Sequence, residues 1–223
     1  MIRQWLTWMA WDLFLAAIPV ALAYAMPRLW TRCRTAPGRW VAVAVAAGVL
    51  WFIFLPNTCY LITEWRHFFA LLESHQYYLR WTLLGDKAAL IKLILYSMYF
   101  FIFSGLGMLA FALALRPVAA LLRRGGRAIW GWGLPCFPLV SLGVYLGLNL
   151  RFNSWDLLHR PEAVLTAMRA AVANPLLLAF ILAFGGFLWL AYLALDIWVD
   201  GLLARCRRAD EAAADARVPR DAA

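Results

Sequence analysis

Five long stretches of this chain contain no Asp, Glu, Lys or Arg: residues 13–27, 40–63, 93–115, 128–150 and 170–195. A helix needs about 20 apolar residues to cross roughly 30 Å of hydrocarbon. The last four stretches meet that length unaided, at 24, 23, 23 and 26 residues. The first has only 15 until Asp12 is admitted, after which Trp8 to Pro27 is long enough. The pattern predicts an all-α polytopic membrane bundle of five helices, over about 8–28, 40–63, 93–115, 128–150 and 174–198. Residues 1–208 then form one integral-membrane domain, and the Ala- and charge-rich tail at 209–223 is expected to be disordered.

Between the last two spans, residues 161–172 read as a short helix lying on the membrane surface. Pro161 suits a first helical position and Glu162 the first turn. Val164, Leu165, Met168 and Val172 are expected to share one face. Asn174-Pro175 reads as the cap and first residue of the last span. Pro56 is expected to bend the second span, and Pro135 and Pro138 the fourth. Gly143-x-x-x-Gly147 offers a smooth strip for close helix packing.

Charge fixes an orientation. Arg28, Arg32, Arg34 and Arg39 connect spans 1 and 2, and Arg116, Arg123, Arg124 and Arg127 connect spans 3 and 4, with no acids in either segment. Arg205, Arg207 and Arg208 follow span 5. Cytoplasmic loops collect Lys and Arg, so the N-terminus is expected outside and the C-terminus in the cytoplasm of a bacterial inner membrane. The polarity of the first span, with its bases after the apolar run, opposes reading Ala23-Tyr24-Ala25 as a signal cleavage site. The net charge of +9 therefore reads as topology and anionic-lipid contact, and nucleic acid is not an expected partner.

Composition adds little to this but excludes a soluble fold: 65% of residues are hydrophobic and mean hydropathy is +0.72. The four cysteines form no CxxC, and their expected depths keep them from disulfide distance. Asp196 and Asp200 are expected to meet the inner arginines.

Two polar strings stand out at the outer ends of spans 2 and 4, Asn57-Thr58-Cys59-Tyr60 through Glu64 and His67, and Arg151-Phe152-Asn153-Ser154-Trp155-Asp156. Polar groups at membrane depth are costly and mark functional sites. The candidate ligand-binding residues are Asn57, Tyr60, Glu64, His67, Arg151, Asn153, Trp155 and Asp156, with Asp12 entering from span 1. Glu64-x-x-His67 and Asp156-x-x-His159 each put a carboxylate and an imidazole on one helical face. These four are weak candidates for a metal, and the bland alternative is a set of solvated loop residues. Asn153 or Ser154 also serves as a helix cap, and Arg151 as a partner for Asp156 or Glu64.

The two strings resemble the DUF1361 family of bacterial multi-pass membrane proteins, a domain of unknown function. The likeness rests on Phe54-Leu55-Pro56-Asn57 running into Tyr60, Thr63, an acid and His67, on Arg151 to Asp156, and on Asp12-Leu13-Phe14-Leu15-Ala16-Ala17-Ile18-Pro19. It covers most of residues 11–195 and implies no activity. Where the family usually has Ala-Pro after Pro-Asn, this chain has Thr58-Cys59. Glu64 and Asp12 stand where Asp and Asn are usual. Two function classes remain: binding of a small polar or lipid-headgroup ligand, or of a membrane partner, and an enzyme using Glu64, His67 and Asp156 on a lipid-linked substrate. A transporter is disfavoured, because no repeat or midplane charge relay is present.

Overall fold

The computed structural model describes residues 2–36, 38–124, 129–152 and 156–215, and among these there is no strand. The helices are α1 (Ile2–Thr35), α2 (Arg39–Phe54), α3 (Pro56–Thr63), α4 (Trp65–His75), α5 (Tyr77–Leu84), α6 (Lys87–Arg124), α7 (Ile129–Leu150), α8 (Asp156–His159), α9 (Pro161–Ala173) and α10 (Pro175–Asp215). Five continuous or nearly continuous helical stretches are long and apolar enough to cross a membrane: Ala10–Thr35, Arg39–His75, Lys87–Arg123, Gly131–Leu150 and Pro175–Ala213. α1 and α6 overrun their apolar stretches at both ends and α10 at its C-terminal end, while α7 stays within its stretch. Lys and Arg are good helix formers whose long stems reach back along apolar surface, so a membrane edge need not end a helix. The same holds for the chain beyond residue 208, where α10 runs on through an Ala-rich segment to Asp215.

α6 is the hub. It packs on α1 and α3 on one side and on α10 on another, while α7 joins α10, α3 and α9. Small residues permit the closest crossings. A Cβ added to Gly107 of α6 would lie 2.6 Å from Leu61 Cβ and 2.8 Å from the Thr58 carbonyl oxygen. On α10, a Cβ at Gly185 would lie 3.0 Å from the Pro138 backbone nitrogen of α7. In lipid, where apolar surface gains nothing by leaving its solvent, such close van der Waals contact is what holds helices together. Trp51 adds one interhelical hydrogen bond, donating to the Ala114 carbonyl at 2.9 Å. At the arginine-rich end Arg116 of α6 meets both Asp196, at 3.4 Å, and Asp200 of α10.

Pro56 breaks the second span as expected. It takes the first position of α3, and the Leu55 carbonyl before it accepts from the Thr58 amide at 3.2 Å and from the Thr58 hydroxyl at 2.8 Å. α7, by contrast, remains helical across Pro135 and Pro138. The cap at Asn174 is also formed: its Oδ1 accepts from the amides of Leu176 at 3.0 Å and Leu177 at 3.3 Å. On α9 the buried residues are Val164 and Ala171, with Ala167 and Met168 packed beside them, while Leu165 and Val172 are exposed. The apolar face expected from the sequence is therefore divided between the bundle and its surroundings.

Candidate functional site

The end of the bundle opposite Arg116 carries α4, α5, α8 and α9, and the site is built there. Glu64 is the joint between α3 and α4, with φ −61° and ψ −13°. The His67 amide donates back to the Glu64 carbonyl at 2.9 Å, which tightens the chain into a short-range turn at the joint. That turn places the two side chains together: His67 Nε2 lies 3.4 Å from Glu64 Oε2, and both side chains are partly open to the exterior.

α4 is fixed against α6 by a chain of polar and aromatic contacts. Trp65 Nε1 donates to Ser104 Oγ at 2.9 Å, and Ser104 Oγ donates in turn to the Leu61 carbonyl at 3.4 Å. The ring of Phe68 meets that of Phe100 with centroids 5.5 Å apart. With the helix held so, two further groups come within electrostatic reach of the pair. Asp12 of α1 feels both Glu64 and His67, and Tyr99 of α6 feels Glu64. Arg66, next in the chain, is the cation that acts on Glu64. Asp12 of α1 and Tyr99 of α6 thus lie within electrostatic range of the Glu64–His67 pair.

Asn57, the second residue of α3, is buried and is engaged within the fold. Tyr60 turns to a different neighbour: its hydroxyl reaches the Gly143 carbonyl of α7 at 3.5 Å, and Gly147 lies directly beneath its ring. The Gly143-x-x-x-Gly147 strip is therefore the seat of α3, since a Cβ at Gly143 would lie 2.7 Å from Pro56 Cγ. Arg151 is exposed, ends α7 in the left-handed region at φ 54°, and takes part in none of the ion pairs among the described residues. Asp156 opens α8 and His159 closes it, and both are engaged. Asn153, Ser154 and Trp155 lie outside the described residues.

Of the candidates, then, the structure pairs Glu64 with His67, brings Asp12 within electrostatic range of them, and sets Tyr60 against α7. Tyr99 escaped the sequence reading, because a tyrosine within an apolar span carries no mark of what faces it. Among the described residues no three His, Cys, Asp or Glu side chains are grouped so as to hold a metal ion. Chemically, the two carboxylates are acceptors of hydrogen bonds and of positive charge, with one imidazole beside Glu64 able to donate or accept.

A connecting pair outside the spans steadies the approach to this end. Asp86 caps α6 by accepting from the amides of Ala88 at 2.9 Å and Ala89 at 3.1 Å, and accepts from Arg80 Nη2 at 2.6 Å. The Ala89 amide first, then the Arg80 guanidinium, hold the Asp86 carboxyl below the usual carboxylate range.

No curated protein and no solved structure matches the chain significantly. A family model does match, over residues 11–191, which takes in Asp12, Glu64, His67, Arg151 and Asp156 together with the first four spans from residue 11 and the N-terminal part of α10. With five membrane-crossing helices and that match, the chain is a multi-pass membrane protein belonging to DUF1361, a family of proteins of unknown function.

Proposed function

We propose that this protein binds a small polar molecule, with lipid headgroups as the leading class, at the end of the bundle bearing Glu64 and His67. The observation that carries the reading is the Glu64–His67 pair at 3.4 Å, open to the exterior at the end of a span, with Asp12 of another span within electrostatic range of it. Titratable groups held within range of one another at membrane depth are expensive to hold, and binding is the common return on that cost. Two carboxylates and an imidazole favour a ligand rich in donors, such as an ammonium or a set of hydroxyls. Asn57, Tyr60, Asn153, Trp155 and Asp156 complete the candidate surface, and Arg151 offers a cation to any anionic part. A membrane protein docking there would use the same groups.

The location we propose is a bacterial inner membrane, with the N-terminus and this end outside and the C-terminus in the cytoplasm. The support is the arginine content of the opposite end. The 3.4 Å Glu64–His67 pair also supports a second reading, an enzyme in which the two act as general acid and base on a lipid-linked substrate.

The test is a thermal-shift series on the detergent-purified full chain with dihexanoyl phosphatidylethanolamine, phosphatidylglycerol and phosphatidylcholine. A ligand at 100 times its Kd stabilises the folded state by about 2.7 kcal/mol. A saturable shift with one of these lipids that disappears in both Asp12→Asn and Glu64→Gln is expected. Identical responses from wild type and both variants to every lipid would refute the site.

A further inference from the structure

A groove of about 170 Å³ runs along the junction of α3, α7 and α9, and it shares no lining residue with the Asp12–Glu64–His67 group. Pro56, Tyr60, Gly143, Leu146, Phe152 and Met168 form its walls. It exists because of features already described. Pro56 opens α3 where α2 ends, and Gly143 withholds a side chain from the opposing wall. Val164 of α9, almost fully buried, helps to close the base.

Its shape has a direction. From Leu139 to Leu146 the α7 wall rises about 10 Å, at 1.5 Å per residue. The groove continues past Leu146 to Phe152 and Leu157, where the chain leaves α7 for α8. One end is therefore level with the middle of a span and the other with the membrane edge. Leu139 and Leu157, at opposite ends, are 45% and 44% exposed, so the groove opens sideways on the surface that faces lipid. A dry apolar cavity of about 150 Å³ is large enough to take benzene. The present volume accommodates a comparable length of hydrocarbon chain, lying parallel to the helices.

At the membrane-edge end stands Arg151, next in sequence to the lining residue Phe152. Phe152 is tied back to α7, its amide donating to the Leu146 carbonyl at 3.2 Å. Arg151 is thereby held in the chain directly before a groove residue, exposed and outside the ion pairs of the described residues. A guanidinium there is matched in charge and in donor geometry to a phosphodiester.

We propose that this groove seats an acyl chain of one bound phospholipid, with Arg151 at the phosphate of that lipid. The inference goes beyond the proposed headgroup site: the two share Tyr60 and Arg151, but the groove takes no lining residue from Asp12, Glu64 or His67 and does not require them.

Photo-crosslinking in proteoliposomes tests it, with diazirine-acyl phosphatidylglycerol and diazirine-acyl diacylglycerol as probes and peptide mapping as the readout. Expected is labelling of Tyr60, Phe152 and Met168 at least about threefold above that of Phe101 and Ile102, which are exposed on α6. The phosphatidylglycerol probe should exceed diacylglycerol at these groove positions, and Arg151→Ala should remove that excess. Leu139→Trp and Leu157→Trp, both at exposed rim positions, should each lower labelling of Met168 without unfolding the protein. Equal labelling of groove and α6 would overturn the proposal, as would equal use of the two probes by wild type. The Asp12→Asn/Glu64→Gln variant should label the groove as wild type does. Failure of the headgroup site and failure of the groove are thereby read separately.

Discussion

The hydroxyl of Tyr60 on α3 occupies the space that a methyl group on Gly147 of α7 would need. The two residues therefore define how near the helices come, and neither can change size alone. Overpacking of this kind costs about 1–3 kcal/mol. Gly147→Ala is expected to lower stability by that amount in denaturant titrations of the detergent-solubilised protein. Tyr60→Phe should cost less than about 1 kcal/mol, because its hydrogen bond to Gly143 is long. Pairing Gly147→Ala with Tyr60→Leu should recover part of the loss; strict additivity would show that the two side positions are not in contact.

Arg116 divides its charge between two unequal partners. Its own side chain and that of Asp196 are 17% and 16% exposed, whereas Asp200 is 66% exposed. Removing a partner from a sheltered pair strands a charge, while an exposed pair contributes little. Asp196→Ala is expected to destabilise by about 2–3 kcal/mol, and Asp200→Ala by less than about 1 kcal/mol. The same denaturant titration ranks them, and a larger effect at Asp200 would contradict the assignment.

Asp86 gives a sign for pH. Its carboxyl is held below the usual range in the folded protein. The stability it contributes is therefore present above the unfolded-state carboxylate pKa, about 3.9, and is lost as pH falls through the lower folded value. Amide exchange at Ala88 and Ala89 should accelerate in that acid window relative to the middle of α6. Asp86→Ala should show the fast exchange at neutral pH as well. Unchanged exchange in the variant would remove Asp86 as the cap.

Orientation has a direct chemical check. Cys206 is exposed on α10, at the arginine-rich end, and Gln76 is exposed in the connection at the other end. If the N-terminus lies outside, Gln76→Cys in intact cells should react with an impermeant maleimide, and Cys206 only after permeabilisation. The reverse pattern would invert the proposed topology.

What could be read from sequence was whatever depends on near neighbours or on the solvent. The five spans follow from charge-free length, the Asn174 cap from an Asx-Pro pair, and the meeting of Arg116 with Asp196 and Asp200 from the cost of leaving charges alone. The bundle's geometry was less accessible. Tyr60 and Glu64, four residues apart, appear as one candidate surface in the sequence, yet Tyr60 engages α7 while Glu64 is grouped with Asp12 and Tyr99. A joint at Glu64 and the packing of three helices decide that, and neither has a local signature. α9 misled for another reason: in a membrane, the face against protein and the face against lipid are both apolar.

The length of α10 has a mechanical consequence. From Asp196 to Asp215 it runs some 30 Å beyond the last charge-free stretch, at 1.5 Å per residue. The final span therefore continues as one unbroken helix for a length about equal to the thickness of a hydrocarbon layer. Being one helix, the segment up to Asp215 turns with the span when the span turns.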